Sequence, residues 1–115
     1  MEARELTKLM IEALEDKKAE DIRVIDISKV SVIADYFVIA SGNNRNQVQA
    51  LADNVAETCG RAGVAEKQIE GYDSANWILM DYSDVIVHIF SKEDRLFYDL
   101  DRIWRDGVLI EKDQL

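Results

Sequence analysis

The sequence predicts a single α/β domain of the α+β kind, in which helices flank a mixed β-sheet of about five strands. Three observations predict this class. The hydrophobic period changes along the chain in the order α-β-β-α-β-β-β-α, which implies helices packed on a sheet. The length of 115 residues fits one domain, and a hydrophobic share of 48% suffices for a core. The lack of proline and the presence of only five glycines argue against a fold of many tight turns.

The first half of the chain is predicted to contain a helix, two strands and a second helix. Apolar residues at helical spacing predict an amphipathic helix over residues 6–14. Residues 22–27 are rich in β-branched side chains, and residues 36–40 are almost continuously apolar, so both are expected to be strands. Helical spacing returns over residues 48–59 and is expected to end at a glycine.

The second half is predicted to contain three strands and a closing helix. A short strand is expected to end near residues 70–71, and the apolar runs 76–80 and 85–90 predict a hairpin. Ser91 and Asp94 have the spacing of a capping box, so a helix is expected to begin there. The apolar stripe of that helix consists of Leu96, Phe97, Leu100, Ile103 and Trp104.

No repeat or shift in composition divides the chain. We expect residues 1–106 to form the domain and residues 107–115 to be a loosely held C-terminal tail. No apolar stretch approaches the ~20 residues that a membrane span needs, and the first residues carry acids that a targeting segment lacks. The single cysteine, Cys59, excludes an internal disulfide and a cysteine zinc cluster. These features predict a cytoplasmic protein without membrane association.

The charge balance limits the class of partner. Lys+Arg 14 and Asp+Glu 23 give a formal net charge of −9, and no basic run is present. Nucleic-acid binding depends largely on lysine and arginine that neutralise phosphates, so direct binding of DNA or RNA is not expected. A basic protein would be attracted instead, with faster association at low salt.

The hairpin is the most informative local feature because its register follows from its turn. A loop of Tyr82-Ser83, or of residues 81–84, predicts the same pairs. These pairs are Met80 with Val85, Leu79 with Ile86, Ile78 with Val87, and Trp77 with His88. Alternation then places a wholly apolar set of side chains on the core face, namely Ile78, Met80, Val85, Val87 and Ile89.

The opposite side of the hairpin, which we name the mixed face, combines aromatic, aliphatic and charged side chains. Its members are Trp77, Leu79, Asp81, Asp84, Ile86 and His88. In the predicted register, Asp81 and Asp84 face each other across the turn. A tryptophan beside aliphatic residues and a charged edge is typical of a protein-binding hot spot. The alternative is that a helix of the same chain covers this face and that the acids only solvate the loop.

Few residues suggest catalysis. His88 is the only histidine, and Cys59 lies on the apolar stripe of a helix, so neither a metal site nor a nucleophilic pair is predicted. Asp81 and Asp84 have the residue type that holds two metal ions for nucleotidyl transfer, but no phosphate-binding loop accompanies them. We expect no cofactor, no metal and no enzymatic activity. A metal-dependent nucleotidyltransferase-like enzyme is the alternative.

A series of short segments occurs in order along nearly the whole chain. The segments are residues 35–42 (DYFVIASG), 47–48 (QV), 52–53 (AD), 70–71 (EG), 77–81 (WILMD), 84–90 (DVIVHIF) and 95–100 (RLFYDL), with Trp104 after them. This series resembles the ribosomal silencing factor family, also called Iojap-like proteins. Ser83 stands where that family commonly has glycine.

The resemblance implies a fold related to nucleotidyltransferases without their catalytic residues. It also implies a translation repressor that binds the large ribosomal subunit through ribosomal protein fourteen and sterically blocks the small subunit. The acidic mixed face agrees with a basic partner of this kind. An acidic adaptor for another basic protein is a further alternative. An open sheet edge or an uncovered apolar face favours a homodimer of the free protein.

The mixed face supplies most of the residues that we expect to bind the partner. The apolar contact is predicted to come from Trp77, Leu79 and Ile86, and the charged contact with lysine or arginine from Asp81 and Asp84. At positions that match the family, His88 and Tyr98 are secondary candidates.

Overall fold

The computed structural model describes residues 1–98 and 107–115, except for the side chains of residues 96–98. Its elements follow the predicted order from the first helix to the third. They are α1 (Ala3–Asp16), β1 (Glu20–Asp26), β2 (Tyr36–Gly42), α2 (Arg45–Arg61), β3 (Gln68–Glu70), β4 (Trp77–Asp81), β5 (Val85–Ser91), α3 (Lys92–Tyr98), β6 (Val108–Ile110) and a 3₁₀ turn (Lys112–Gln114).

The strands described form a six-stranded sheet with the order β3-β4-β5-β2-β1-β6. The central pair, β2 and β5, is parallel, and the other neighbouring strands are antiparallel. The sheet is therefore mixed, as predicted. Strand β2 is buried along its whole length, as its continuous apolar run indicated.

Helices α1 and α2 pack against each other and against the central strands. Their amphipathic stripes are buried, which confirms the helical spacing predicted for both segments. The Asn44 side chain accepts a hydrogen bond from the Gln47 backbone N–H at 2.8 Å and caps α2. The largest helical side chains in this core are Leu6, Met10, Ile11, Leu14, Val48, Leu51 and Val55.

A second apolar cluster lies on the other side of the sheet. Along each strand, its residues alternate with those that face α1 and α2. It contains Phe37 and Ile39 of β2 and Phe90 of β5, and Trp77 and Ile86 pack against it as partly exposed side chains. Because alternate residues of a strand point to opposite faces, this cluster lies on the side of the sheet away from α1 and α2. Its other buried members are Ile25, Ile27 and Ala34.

The predicted Ser91–Asp94 pair forms at the start of α3 as one half of a capping box, because the Ser91 N–H donates to the Asn76 carbonyl at 3.1 Å and not to Asp94. The Asp94 backbone N–H donates to Ser91 Oγ at 3.3 Å, and the Ser91 hydroxyl donates to the Asp94 carboxylate. The guanidinium of Arg95 is buried and donates to Ser41 Oγ at 2.8 Å, which ties α3 to β2. The remainder of the predicted helical stripe, up to Trp104, lies outside the described residues.

The C-terminal residues differ from the loosely held tail that was expected. Val108–Ile110 pairs with β1 as the sixth strand of the described sheet, whereas about five strands were expected. Lys112 then forms a 2.8 Å ion pair with Glu15, and Leu115 packs against the main core. A three-residue strand carries too little periodicity to be recognised. Its partner strand, distant in sequence, supplies the stabilising backbone hydrogen bonds.

Candidate partner-binding surface

The turn of the β4–β5 hairpin lies one residue later than the predicted Tyr82-Ser83 loop. Tyr82 remains in the ladder, because its backbone N–H donates to the Val85 carbonyl at 3.0 Å, and Ser83 and Asp84 form the loop. Ser83 has a φ of 72°, in the left-handed region, and the Asp84 N–H donates to the Tyr82 carbonyl at 3.0 Å, the spacing of a γ-turn. Asp81 Oδ1 accepts a hydrogen bond from the Ser83 N–H at 2.8 Å and stabilises this turn.

The predicted register is therefore wrong by two residues. Trp77 pairs with Phe90, Leu79 with His88, and Asp81 with Ile86. Because the side-chain period of a strand is two, a shift of two residues keeps every side chain on its predicted face. The predicted core face is confirmed, since each of its members is fully buried: Ile78, Met80, Val85, Val87 and Ile89.

The shift separates the two acids of the mixed face. Asp81 and Asp84 are not cross-strand partners, because Asp81 lies opposite Ile86 and Asp84 lies in the loop. The Asp84 side chain is exposed and Asp81 is partly exposed. Among the residues described, no group of three or more histidine, cysteine, aspartate or glutamate side chains is arranged to hold a metal ion. The register therefore removes the cross-strand pairing that suggested a shared metal site for nucleotidyl transfer.

The rest of the mixed face contains both accessible and buried side chains. Trp77, Leu79 and Ile86 are partly exposed, so the described part of the chain leaves them partly open to solvent. His88 lies deeper and is only 4% exposed. The three accessible apolar residues lie on one face of β4 and β5, where Asp81 is opposite Ile86 and Asp84 lies in the turn.

Contacts with Phe90 and His88 orient the indole of Trp77. Its ring stacks on Phe90, with a centroid separation of 5.3 Å and an interplanar angle of 25°. Its Nε1–H donates to His88 Nδ1 at 3.0 Å. A side chain fixed in this way loses little conformational entropy when a partner covers it. The partly exposed ring is therefore a preorganised apolar contact.

His88 is buried in its neutral form. Burial lowers the pKa of His88 from 6.5 to about 4. Since Nδ1 accepts the Trp77 N–H, the neutral ring carries its proton on Nε2. Nε2 has no hydrogen-bond partner in the described part of the chain. The His88 ring also meets Phe37 edge to face, with centroids 4.6 Å apart.

Gly71 directly follows β3, at a point where the backbone passes close to the first residue of β4. Its φ is +78°, and a Cβ placed there would lie 2.2 Å from the Trp77 carbonyl oxygen. Only glycine allows the chain to pass so close to Trp77 in this conformation. The sequence analysis noted Glu70-Gly71 as the end of a strand. Only the structure shows that Gly71 is needed for the close approach to the Trp77 carbonyl. Phe90 was also missed as the ring that supports Trp77, because the predicted register did not place it opposite Trp77.

Tyr98 is the last described residue of α3, and its side chain lies outside the described residues. Its expected contact with a partner stays a prediction. Within residues 1–98 and 107–115, no helix has the length and apolar character needed to cross a membrane.

Comparison with known proteins identifies relatives of the whole chain. The whole chain, residues 1–115, matches the family model described as "Ribosomal silencing factor during starvation". A ribosomal silencing factor of Bacillus subtilis is 40% identical over 113 residues, which cover 98% of this chain and 96% of that protein.

Two crystal structures have the same fold. A protein from Chromobacterium violaceum superposes with a TM-score of 0.88 at 40% identity and covers 90% of this chain and 87% of its own. A protein from Bacillus halodurans gives a TM-score of 0.83 at 37% identity, with coverage of 93% and 97%.

Proposed function

Because the chain belongs to the ribosomal silencing factor family, we propose that it binds the large ribosomal subunit and keeps the small subunit from joining. Members of this family are regulators of translation rather than enzymes. The full-length match to the family supports this function, and the accessible tryptophan patch of the mixed face supports binding as its means.

The contact on the ribosome is ribosomal protein fourteen. A basic ribosomal protein fits a chain with a formal net charge of −9, because opposite charges speed encounter and fix orientation. Asp84 is exposed, and Asp81 keeps one carboxylate oxygen free of the turn hydrogen bond, so both can accept lysine or arginine of the partner. Association should therefore weaken as salt is raised.

Trp77 is the anchor of this contact, with Leu79 and Ile86 beside it. Interface energy is concentrated in a few central aromatic side chains that become fully desolvated. His88 acts as a positioning residue, because its ring is buried and accepts the indole N–H. The fixed indole favours binding by reducing the entropy that is lost on association.

The mechanism is steric. A bound domain of 115 residues occupies space on the joining surface of the large subunit, and the small subunit cannot approach while it is there. No bond is made or broken, so the repression is reversible and depends on occupancy. A role on ribosomes is compatible with the predicted cytoplasmic location.

Sedimentation with purified subunits tests the proposal. The protein should co-migrate with large subunits and not with small ones, and its addition should reduce the yield of joined ribosomes when both are mixed. Co-migration with neither subunit, together with an unchanged yield of joined ribosomes, would contradict it. Recovery of a non-ribosomal basic protein from a pull-down would then favour the adaptor alternative.

The free protein is proposed to form a homodimer through a sheet edge. β3 and β6 end the described sheet, and an edge strand offers backbone groups for pairing with a second copy. Pairing through the mixed faces is disfavoured because both copies carry acids there. Light scattering at high protein concentration decides this point, and a monomer mass throughout the range would refute the dimer.

A further inference from the structure

The loop between β1 and β2 exposes apolar side chains that the proposed contact does not use. Val32 is fully exposed, Ile33 is 61% exposed and Val30 is 46% exposed. Scattered exposed aliphatic residues are ordinary, but consecutive β-branched residues at a loop tip are not explained by folding. Their side chains contribute little burial to the chain itself.

The loop is held by hydrogen bonds across its base and within its turn. Ile27 N–H donates to the Asp35 carbonyl at 2.9 Å, and the N–H groups of Val30 and Ser31 donate to the Ile27 carbonyl at 3.0 and 2.9 Å. The Ile33 N–H donates to Ser31 Oγ at 3.1 Å. A loop with this bonding presents Val32 and Ile33 in a preformed arrangement, as a binding loop requires.

The loop is joined to the mixed face. Asp35 N–H donates to the carbonyl of Asp84, in the hairpin turn, at 2.7 Å. Ile27 and Ala34, at the two ends of the loop, are buried in the same apolar cluster against which Trp77 and Ile86 pack. The loop therefore meets the hairpin turn at Asp35, two residues after Ile33, at the border of the proposed contact.

The charges around the loop select the kind of partner. Asp26, Asp35 and Asp84 border it, against the single cation Lys29 in residues 26–35. An anionic lipid surface, a nucleic acid or a second copy of this acidic chain would be repelled. A basic protein with an apolar recess is the occupant that this combination of groups fits.

We propose that Val32 and Ile33 form a second apolar contact with the same basic partner that covers Trp77. This inference rests on the proposed function and extends its surface from β4 and β5 to the β1–β2 loop. Trp77 and the loop then engage one partner at two places, with the acids of the hairpin turn between them.

Equilibrium binding to purified large subunits and to isolated ribosomal protein fourteen tests the inference. The test variant is the double substitution Val32→Thr with Ile33→Thr, which keeps the β-branched shape and adds hydroxyls. The matched control is Val108→Thr with Leu109→Thr, because these residues are similarly exposed in β6 at an edge of the described sheet. Protein is used at a concentration where light scattering gives the monomer mass.

The loop variant should raise the Kd for both probes by about tenfold, because two apolar contacts become partly polar. The β6 control should bind like wild type, and unfolding by urea should be unchanged for both variants.

Wild-type affinity of the loop variant, with Trp77→Ala weakened, would overturn this inference alone. Weakening for subunits but not for isolated ribosomal protein fourteen would overturn it too. Wild-type affinity of Trp77→Ala would instead refute the proposed Trp77 anchor.

Discussion

The two faces of the β4–β5 hairpin are built from alternating residues of the same strands but have opposite roles. On the face under α1 and α2, each apolar side chain of the hairpin is fully buried. On the mixed face, Trp77, Leu79 and Ile86 stay partly exposed above a buried layer of His88 and Phe90. One face stabilises the domain, and the other is the surface that we propose for partner binding.

On the mixed face, a side chain is both accessible and held rigidly. Exposed side chains are usually mobile, but the indole of Trp77 rests on Phe90 and donates to His88. The buried ring of His88 therefore orients the partly exposed indole from below, and in the proposed contact a partner could cover Trp77 without touching His88. Substitutions on the two faces should separate stability from binding.

Adjacent residues of β4 give the largest expected contrast. Ile78→Ala, on the fully buried face, should lower the free energy of unfolding by about 2–5 kcal/mol, because it leaves a cavity in the core. Leu79→Ala, one residue later on the mixed face, should lower it by less than about 1 kcal/mol. Urea unfolding measures both, and equal losses would break the distinction between the faces.

Substitution of Gly71 tests the close approach of the backbone to the Trp77 carbonyl. Gly71→Ala should lower the free energy of unfolding by about 3 kcal/mol, because the new Cβ meets the Trp77 carbonyl and the φ is positive. Gly63→Ala is the matched control, since its φ is also positive, +84°, but nothing lies within 4 Å of the added Cβ. It should cost only about 1 kcal/mol. Equal losses would show that the contact with Trp77 is unimportant.

The buried histidine predicts a pH dependence. Because the pKa of His88 falls from 6.5 to about 4 on folding, the unfolded chain takes up a proton first as the pH drops. Stability is then lost as the pH falls from about 6.5 towards 4, by about 2 kcal/mol between pH 7.5 and pH 5. Urea unfolding of wild type and His88→Gln at both pH values isolates this contribution, since both share the same carboxylates. An equal pH dependence in the two proteins would contradict a buried neutral His88.

Much of the fold could be predicted because its signals are local. Helical spacing identified α1 and α2, and the period of two assigned the faces of β4 and β5 correctly even though the register was wrong. The register itself depended on Ser83, a residue with positive φ at a position where the sequence shows no glycine. Strand β6 was missed because only pairing with β1 makes its three residues a strand.

The sequence predicted which residues share the mixed face, but it did not predict how deeply each side chain is buried. Alternation placed Trp77 and His88 on one face, but only packing reveals that the first is accessible and the second is buried beneath it. The exposed residues Val32 and Ile33 carried no periodic signal. Their relation to the hairpin depends on a backbone contact with Asp84, which is distant in sequence.

The affinity of Trp77→Ala for purified large ribosomal subunits tests the central claim most directly. The variant should bind about thirtyfold more weakly, a loss of about 2 kcal/mol, because the anchor of the mixed face is removed. Leu109→Ala, an exposed apolar residue of β6, should bind like wild type. A folded Trp77→Ala protein that binds large subunits with wild-type affinity would show that this face does not hold the ribosome.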